Sequence, residues 1–184
     1  MRHIAMGICA SLAFCGAMAT AAIAAPGFEV KTTAFADGEI MESKFAAKGG
    51  PRECDGENIQ PSMAWTHVPE GTKSFAIVTM DDVGEHGQGV IHWVLYNIPG
   101  DIPGFGEGIV PEGATGGPNI IGRDDYLGPC PDVGDVPHHY EFMLFALDLE
   151  IGELPAGLDW PSLKKAVKGR TLGTTSIVGR YARN

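Results

Sequence analysis

The chain has 184 residues, 13 Lys and Arg against 23 Asp and Glu, and a formal net charge of −10. Apolar residues at 44% and charged residues at 20% exclude the low-hydrophobicity, high-charge profile of a disordered chain. The acidic balance argues against a nucleic-acid binder and against attraction to anionic lipid surfaces.

The N-terminus reads as a leader. Met1-Arg2-His3 is a short basic start, Ile4 to Ala19 is apolar or small, and Ala22-Ile23-Ala24 supplies an A-x-A cleavage pattern. An apolar run of about 16 residues is short for a membrane span of roughly 20. A lipid anchor on Cys15 is disfavoured by the bulky Phe14 before it. Residues 1–24 are therefore expected to be a signal peptide and residues 25–184 one domain, periplasmic or secreted after cleavage near Ala24, with no integral membrane contact. Cleavage removes Arg2 and no acid, so 12 basic against 23 acidic side chains leaves −11. Cys9 and Cys15 leave with the leader. The remaining pair, Cys54 and Cys130, is in an exported chain most simply a disulfide. Its loop of about 76 residues would restrict the unfolded chain by roughly 4 kcal/mol. There is no CxxC to suggest a redox enzyme or zinc ribbon.

The domain is expected to be mainly β. Met63 to His67 is a short candidate strand, and Ser74 to Met80 a compact apolar run closed by Asp81-Asp82. His92 to Ile98 is a third, ended by Pro99-Gly100. From Gly100 to Pro137 the chain is dense in Gly and Pro and too irregular for repeated elements; long loops in compact domains are commonly functional. Tyr140 to Asp148 is the longest strand candidate, and Thr175 to Tyr181 the last. Runs apolar on both faces suit strands buried within layers. One segment reads as helix, with Asp159 as N-cap, Leu163, Ala166 and Val167 on one face, and Gly169 as stop. Lys164, Lys165, Lys168 and Arg170 crowd its later turns, which suits the negative end of the helix dipole. The expected architecture is an antiparallel β-sandwich with a C-terminal helix and long loops.

Polar residues gather at strand ends: Asp81 closes one strand, His92 opens another, and His138-His139-Tyr140 open a third. Imidazoles, a carboxylate and a phenol together could hold an anion, bind a metal or perform acid–base chemistry. Closed metal-ligand spacing is lacking, as is a G-x-S-x-G turn. The residues alone thus rank an anion pocket above a metal site and a metal site above a hydrolase.

Several strings resemble one family. Cys54-Asp-Gly-Glu-Asn-Ile-Gln-Pro-Ser-Met-Ala-Trp65 is similar to the "CDGENxSPxLxW" segment of the phosphatidylethanolamine-binding protein family, in its bacterial Raf-kinase-inhibitor-like branch. Val68 to Ile77 resembles "xPxGTKSFAx", His92 to Pro99 "HWVxxNIP", and Gly128-Pro-Cys-Pro131 with Pro137-His-His-Tyr140 "GPCPP…PHRY". Ala34-Phe-Ala-Asp-Gly38 resembles the branch's "AFxDG" opening.

The resemblance implies a β-sandwich with a small pocket for phosphate-like anions, including phospholipid headgroups. Matched position by position, the pocket would comprise Asp81, His92, Gly128, Pro129, His138 and Tyr140, and the family's paired cysteines also favour Cys54–Cys130. Two positions depart from the pattern. Where the family has "DPDAP", this chain has Asp81-Asp-Val-Gly-Glu85, so Val83 stands in place of the second carboxylate, and Asp82 could substitute only in a rebuilt turn. His139 replaces the arginine of "PHRY", a titratable donor for a permanent one, and His86 in the altered turn is a further candidate donor. The function expected is that of a non-enzymatic binding protein without a cofactor, taking a small anionic or phosphate-bearing ligand. The alternatives are a protein-interaction or inhibitor module with a vestigial pocket, facing a basic partner, and more remotely a His/Asp hydrolase or metal site.

Overall fold

A computed structural model describes residues 27–183, so the leader expected at 1–24, with Cys9 and Cys15, lies outside the described residues. Ten strands follow in order: β1 (Glu29–Lys31), β2 (Lys48–Gly49), β3 (Cys54–Asp55), β4 (Met63–Thr66), β5 (Ser74–Asp81), β6 (Val90–Pro99), β7 (Gly104–Phe105), β8 (Thr115–Gly117), β9 (His138–Leu147) and β10 (Thr171–Tyr181). They form a five-stranded sheet in the order β10-β9-β5-β6-β8, a three-stranded sheet β1-β4-β7 and the small β2-β3 pair. The pairings between these strands are antiparallel. The mainly β, antiparallel expectation is met.

The central sheet is buried on both faces, which accounts for its unbroken apolar runs. Side chains alternate along a strand. Phe75 and Ile77 of β5, Trp93 and Leu95 of β6, and Phe142 and Leu144 of β9 therefore share one face, packed with Val30, Met63 and Trp65 from the smaller sheet. Ala76, Val78, Val94 and Tyr96 point the other way, against Leu163 and Val167. A fully buried side chain of this size contributes about 1.5–3 kcal/mol, and Phe75, Ile77, Phe142 and Leu144 are all fully buried.

The helix runs Trp160–Ala166, and the Asp159 carboxylate accepts from the Ser162 amide at 2.9 Å, as an N-cap should. Leu163 and Val167, four apart on one face, are its buried anchors. Ala166, expected beside them, is exposed, because the contact is a narrow i, i+4 seam. Gly169 ends the segment at a positive φ of 77°. The Gly- and Pro-rich stretch contributes only β7 and β8; it leaves β6 at the Ser74 end of the central sheet and reaches the Asp81 end, where the Leu127 amide donates to the His92 carbonyl.

Candidate functional site

Three adjacent strands end together. Asp81 closes β5 and stands opposite Val90 of β6 and Tyr140 of β9. Because strand side chains repeat every two residues, Asp81 continues the face of Phe75 and Ile77, and His138 and Tyr140 that of Phe142. His92 reaches the same face by another route. Thr79 pairs with Trp93 but Met80 pairs with Ile91, so β6 carries one extra residue there. This bulge lets His92 and Trp93 both turn toward the core, a common way to re-aim a side chain. The His92 ring meets Tyr140 edge-on, with centroids 5.1 Å apart.

Each buried group has a defined partner except one. Asp81 is 4% exposed; its Oδ2 lies 2.7 Å from His138 Nδ1, and its Oδ1 accepts from the amides of Val83 and Gly84 at 3.0 Å each. One carboxylate thus orients a histidine and caps the turn that follows. That turn is tight: a Cβ at Gly84 would collide with Val90, and Glu85 and His86 adopt left-handed φ values of 49° and 59°. Such conformations cost on the order of 1–3 kcal/mol each and cluster at functional sites. His92 Nδ1 is 2.8 Å from the Leu127 carbonyl, and burial lowers the His92 pKa against the smaller opposing pulls of the Leu127 carbonyl and the Asp81 charge. The Tyr140 hydroxyl is buried with no hydrogen bond of ordinary geometry, and burial, then the charge and the nearby side chain of Asp81, push its pKa up.

The loop over these strands is fixed by a bridge and a close approach. Cys54 and Cys130 are joined as a disulfide with Cα atoms 6.0 Å apart. The Asn58 side chain donates to the Tyr126 carbonyl and accepts from the Gly128 amide, both at 2.8 Å. A Cβ at Gly128 would strike the backbone of Phe45 and Ala46, so only glycine lets the two segments approach.

A cleft of about 520 Å³ opens above the strand ends, within the range of small-molecule sites. Of the residues expected at the site, Asp81, His92, Gly128, His138, Tyr140 and His86 line it together. Pro129 does not line it; its carbonyl accepts from the Ala47 amide at 2.9 Å. Asp82 and His139 also lie outside the lining and face one another at 3.6 Å, both about half-exposed. Val83 does line it, and the acidic group the turn delivers to the cleft is Glu85 rather than Asp82.

Sequence reasoning missed Glu85, Arg52, Asp132 and Asp135, all lining residues. The signals were positional: Arg52 sits two residues before a bridged cysteine, and Asp135 three before His138. Arg52 and Asp132 pair across the bridge at 3.0 Å, and Asp135 Oδ2 is 3.5 Å from His138 Nε2. The loop backbone is also less generous than expected, since the Gly128 amide is already taken by Asn58. Carboxylates therefore outnumber permanent cations around the cleft. Among the described residues, no group of three or more His, Cys, Asp or Glu side chains is placed to hold a metal ion, and no helix is long and apolar enough to cross a membrane.

The fold has counterparts. The model of the family described as phosphatidylethanolamine-binding protein matches residues 31–182. A UPF0098 protein of Methanothermobacter thermautotrophicus is 36% identical over 159 residues, covering 84% of this chain and 98% of the relative. The crystal structure of YbcL from Escherichia coli superposes with a TM-score of 0.77 at 31% identity, covering 85% of this chain and 99% of YbcL. The homologue CT736 of Chlamydia trachomatis gives 0.73 at 28% identity, over 85% and 98% of the two chains. With a matching model across most of its length and relatives that it covers end to end, this chain belongs to the phosphatidylethanolamine-binding protein family.

Proposed function

We propose that this protein is an exported, non-enzymatic binding protein whose cleft takes a small ligand through a phosphate-like anion. The observation that carries this reading is the Tyr140 hydroxyl, a buried donor without a partner beside two oriented imidazoles at the floor of an open cleft. An unmet donor costs about 1–3 kcal/mol, which a phosphoryl oxygen would recover. The surrounding carboxylates favour ligands that place a cationic amine beside the phosphate, as a phosphoethanolamine headgroup does. The cysteine of the lining is bridged and so is not available as a thiolate nucleophile. The leader-like N-terminus and the disulfide support export to an oxidising compartment.

Titration of the oxidised domain with inorganic phosphate and with O-phosphoethanolamine, followed by NMR, is the test. Saturable shifts at His92, His138 and Tyr140 are expected, with Tyr140→Phe weakening affinity about 10-fold or more, as loss of one bond to a charged group implies. Absence of any shift at millimolar ligand would refute the reading.

A second reading rests on the mouth of the cleft, where Ile120, Ile121 and Val136 are exposed lining residues. Such a rim suits a protein partner, with the pocket secondary. Partner capture unaffected by Tyr140→Phe but lost with Ile121→Asp would favour it.

A further inference from the structure

We infer that the cleft takes its phosphoryl ligand together with a proton, received at His92 Nε2, so that binding of a dianionic phosphate monoester is accompanied by proton uptake. This rests on the anion-binding reading and specifies the ionic form that the site accepts.

The argument starts from which nitrogen carries hydrogen. His92 Nδ1 faces the Leu127 carbonyl at 2.8 Å, and a carbonyl oxygen only accepts. The hydrogen must be on Nδ1. The ring is buried where charge is disfavoured. Neutral His92 therefore presents Nε2 to the cleft as a lone pair. The same logic fixes Nδ1–H of His138, which faces Asp81 Oδ2 at 2.7 Å. The His138 Nε2 differs from that of His92 in having the Asp135 carboxylate 3.5 Å away.

The other charged and titratable groups around His92 add acceptors. From β5 comes Asp81, from β9 His138 and Tyr140, from the turn Glu85 and His86, and from the loop before β9 Asp132 and Asp135; Arg52 is engaged with Asp132 at 3.0 Å. A fully deprotonated phosphoryl group would meet Tyr140 Oη as the one donor beside His92, the Arg52 guanidinium, already paired through Nε, at the exposed rim, and otherwise lone pairs and carboxylates. With one proton the pattern closes. An O–H on the phosphoryl group donates to His92 Nε2, or the proton sits on Nε2 and is donated back, while a second oxygen accepts from Tyr140. The two descriptions share one proton count: the dianion in solution takes one proton from the buffer. A phosphate monoester loses its second proton near pH 6, so above that pH the proton has to be taken up.

The test is calorimetry of the oxidised protein with glycerol phosphate in buffers of different ionisation enthalpy. At pH 7.5 the expected uptake is about one proton per ligand bound, with affinity falling about 10-fold per pH unit above neutrality. His92→Gln places an amide N–H donor near the Nε2 position without a titrating ring; uptake is expected to vanish and the affinity to flatten with pH. Should that variant not fold, ¹⁵N shifts of the wild-type His92 ring, with and without ligand, report the state of Nε2 directly. Binding with no net uptake and flat affinity overturns the inference while leaving the anion-binding reading intact. Undiminished uptake in His92→Gln overturns the assignment to His92. No binding at any pH removes the anion-binding reading and the inference with it.

Discussion

Two buried tyrosines on the central sheet have opposite hydrogen-bond economies. On the helix side, Tyr96 Oη donates to the Pro155 carbonyl at 2.9 Å and accepts from the Leu158 amide at 3.2 Å, so it ties down the loop that leads into the helix. Its neighbour Asn97 likewise donates to the Leu154 carbonyl and to Thr115 Oγ1, each at 3.1 Å. On the cleft side, Tyr140 is as deeply buried and its hydroxyl has no partner. The sheet thus uses polar atoms for cohesion at one end and leaves a donor available at the other. A buried hydroxyl with nothing to bond costs stability, so its persistence beside an open cleft identifies the end where a ligand is expected.

The comparison is most strongly tested by cutting the tie at the cleft end. The Cys54–Cys130 bridge closes a separation of 76 residues and anchors the loop carrying Gly128 and Pro131. Replacing both cysteines by Ser should lower unfolding free energy by about 2–5 kcal/mol, read by urea denaturation. Hydrogen exchange should show the loss concentrated in the amides of Leu127 and Gly128, with those of Leu163 and Val167 at the helix little affected. Uniform loosening of both ends would mean that the bridge stabilises the whole chain and not the cleft in particular.

The next contrast exchanges hydroxyls. Tyr96→Phe strands a carbonyl and an amide and is expected to cost about 1–3 kcal/mol. Tyr140→Phe leaves the nearby Asp81 carboxylate still held by His138 and by the Val83 and Gly84 amides, so stability should hold or rise slightly while phosphate affinity falls. Equal destabilisation by the two variants would show that Tyr140 has a structural partner after all.

Most of the framework was legible in the sequence because it rests on periodicity and on local chemistry. The runs at Ser74 to Met80 and His92 to Ile98 suit strands with both faces covered, and Asp159 as N-cap marked the helix start. What escaped depends on pairing register and on loop paths. The extra residue that turns His92 inward is visible only once Met80 is set against Ile91. Glu85 reaches the cleft because two successive residues take left-handed φ values, a conformation that the string Asp-Val-Gly-Glu-His does not announce. Arg52 and Asp132 meet because a disulfide joins their segments, across a distance in sequence that no local pattern spans. The family motifs supplied the buried members of the site; the acidic rim that decides what a ligand must carry came from the loops between them.

The smallest expected effect concerns the pair just outside the cleft. Read from sequence, His139 stood where an arginine would serve the ligand, with Asp82 as a substitute carboxylate. Strand alternation decides otherwise for His139: His138 and Tyr140 face inward, so the residue between them must face out, and it meets Asp82 at 3.6 Å with both side chains about half in solvent. An exposed pair of this kind is worth about 0–1 kcal/mol, even when the imidazole is charged. A double-mutant cycle with Asp82→Ala and His139→Ala should therefore give a coupling within that range. Phosphate affinity should be unchanged by His139→Ala. A several-fold loss of affinity would return His139 to the site and imply that the Asp82 turn swings over the cleft when ligand is bound.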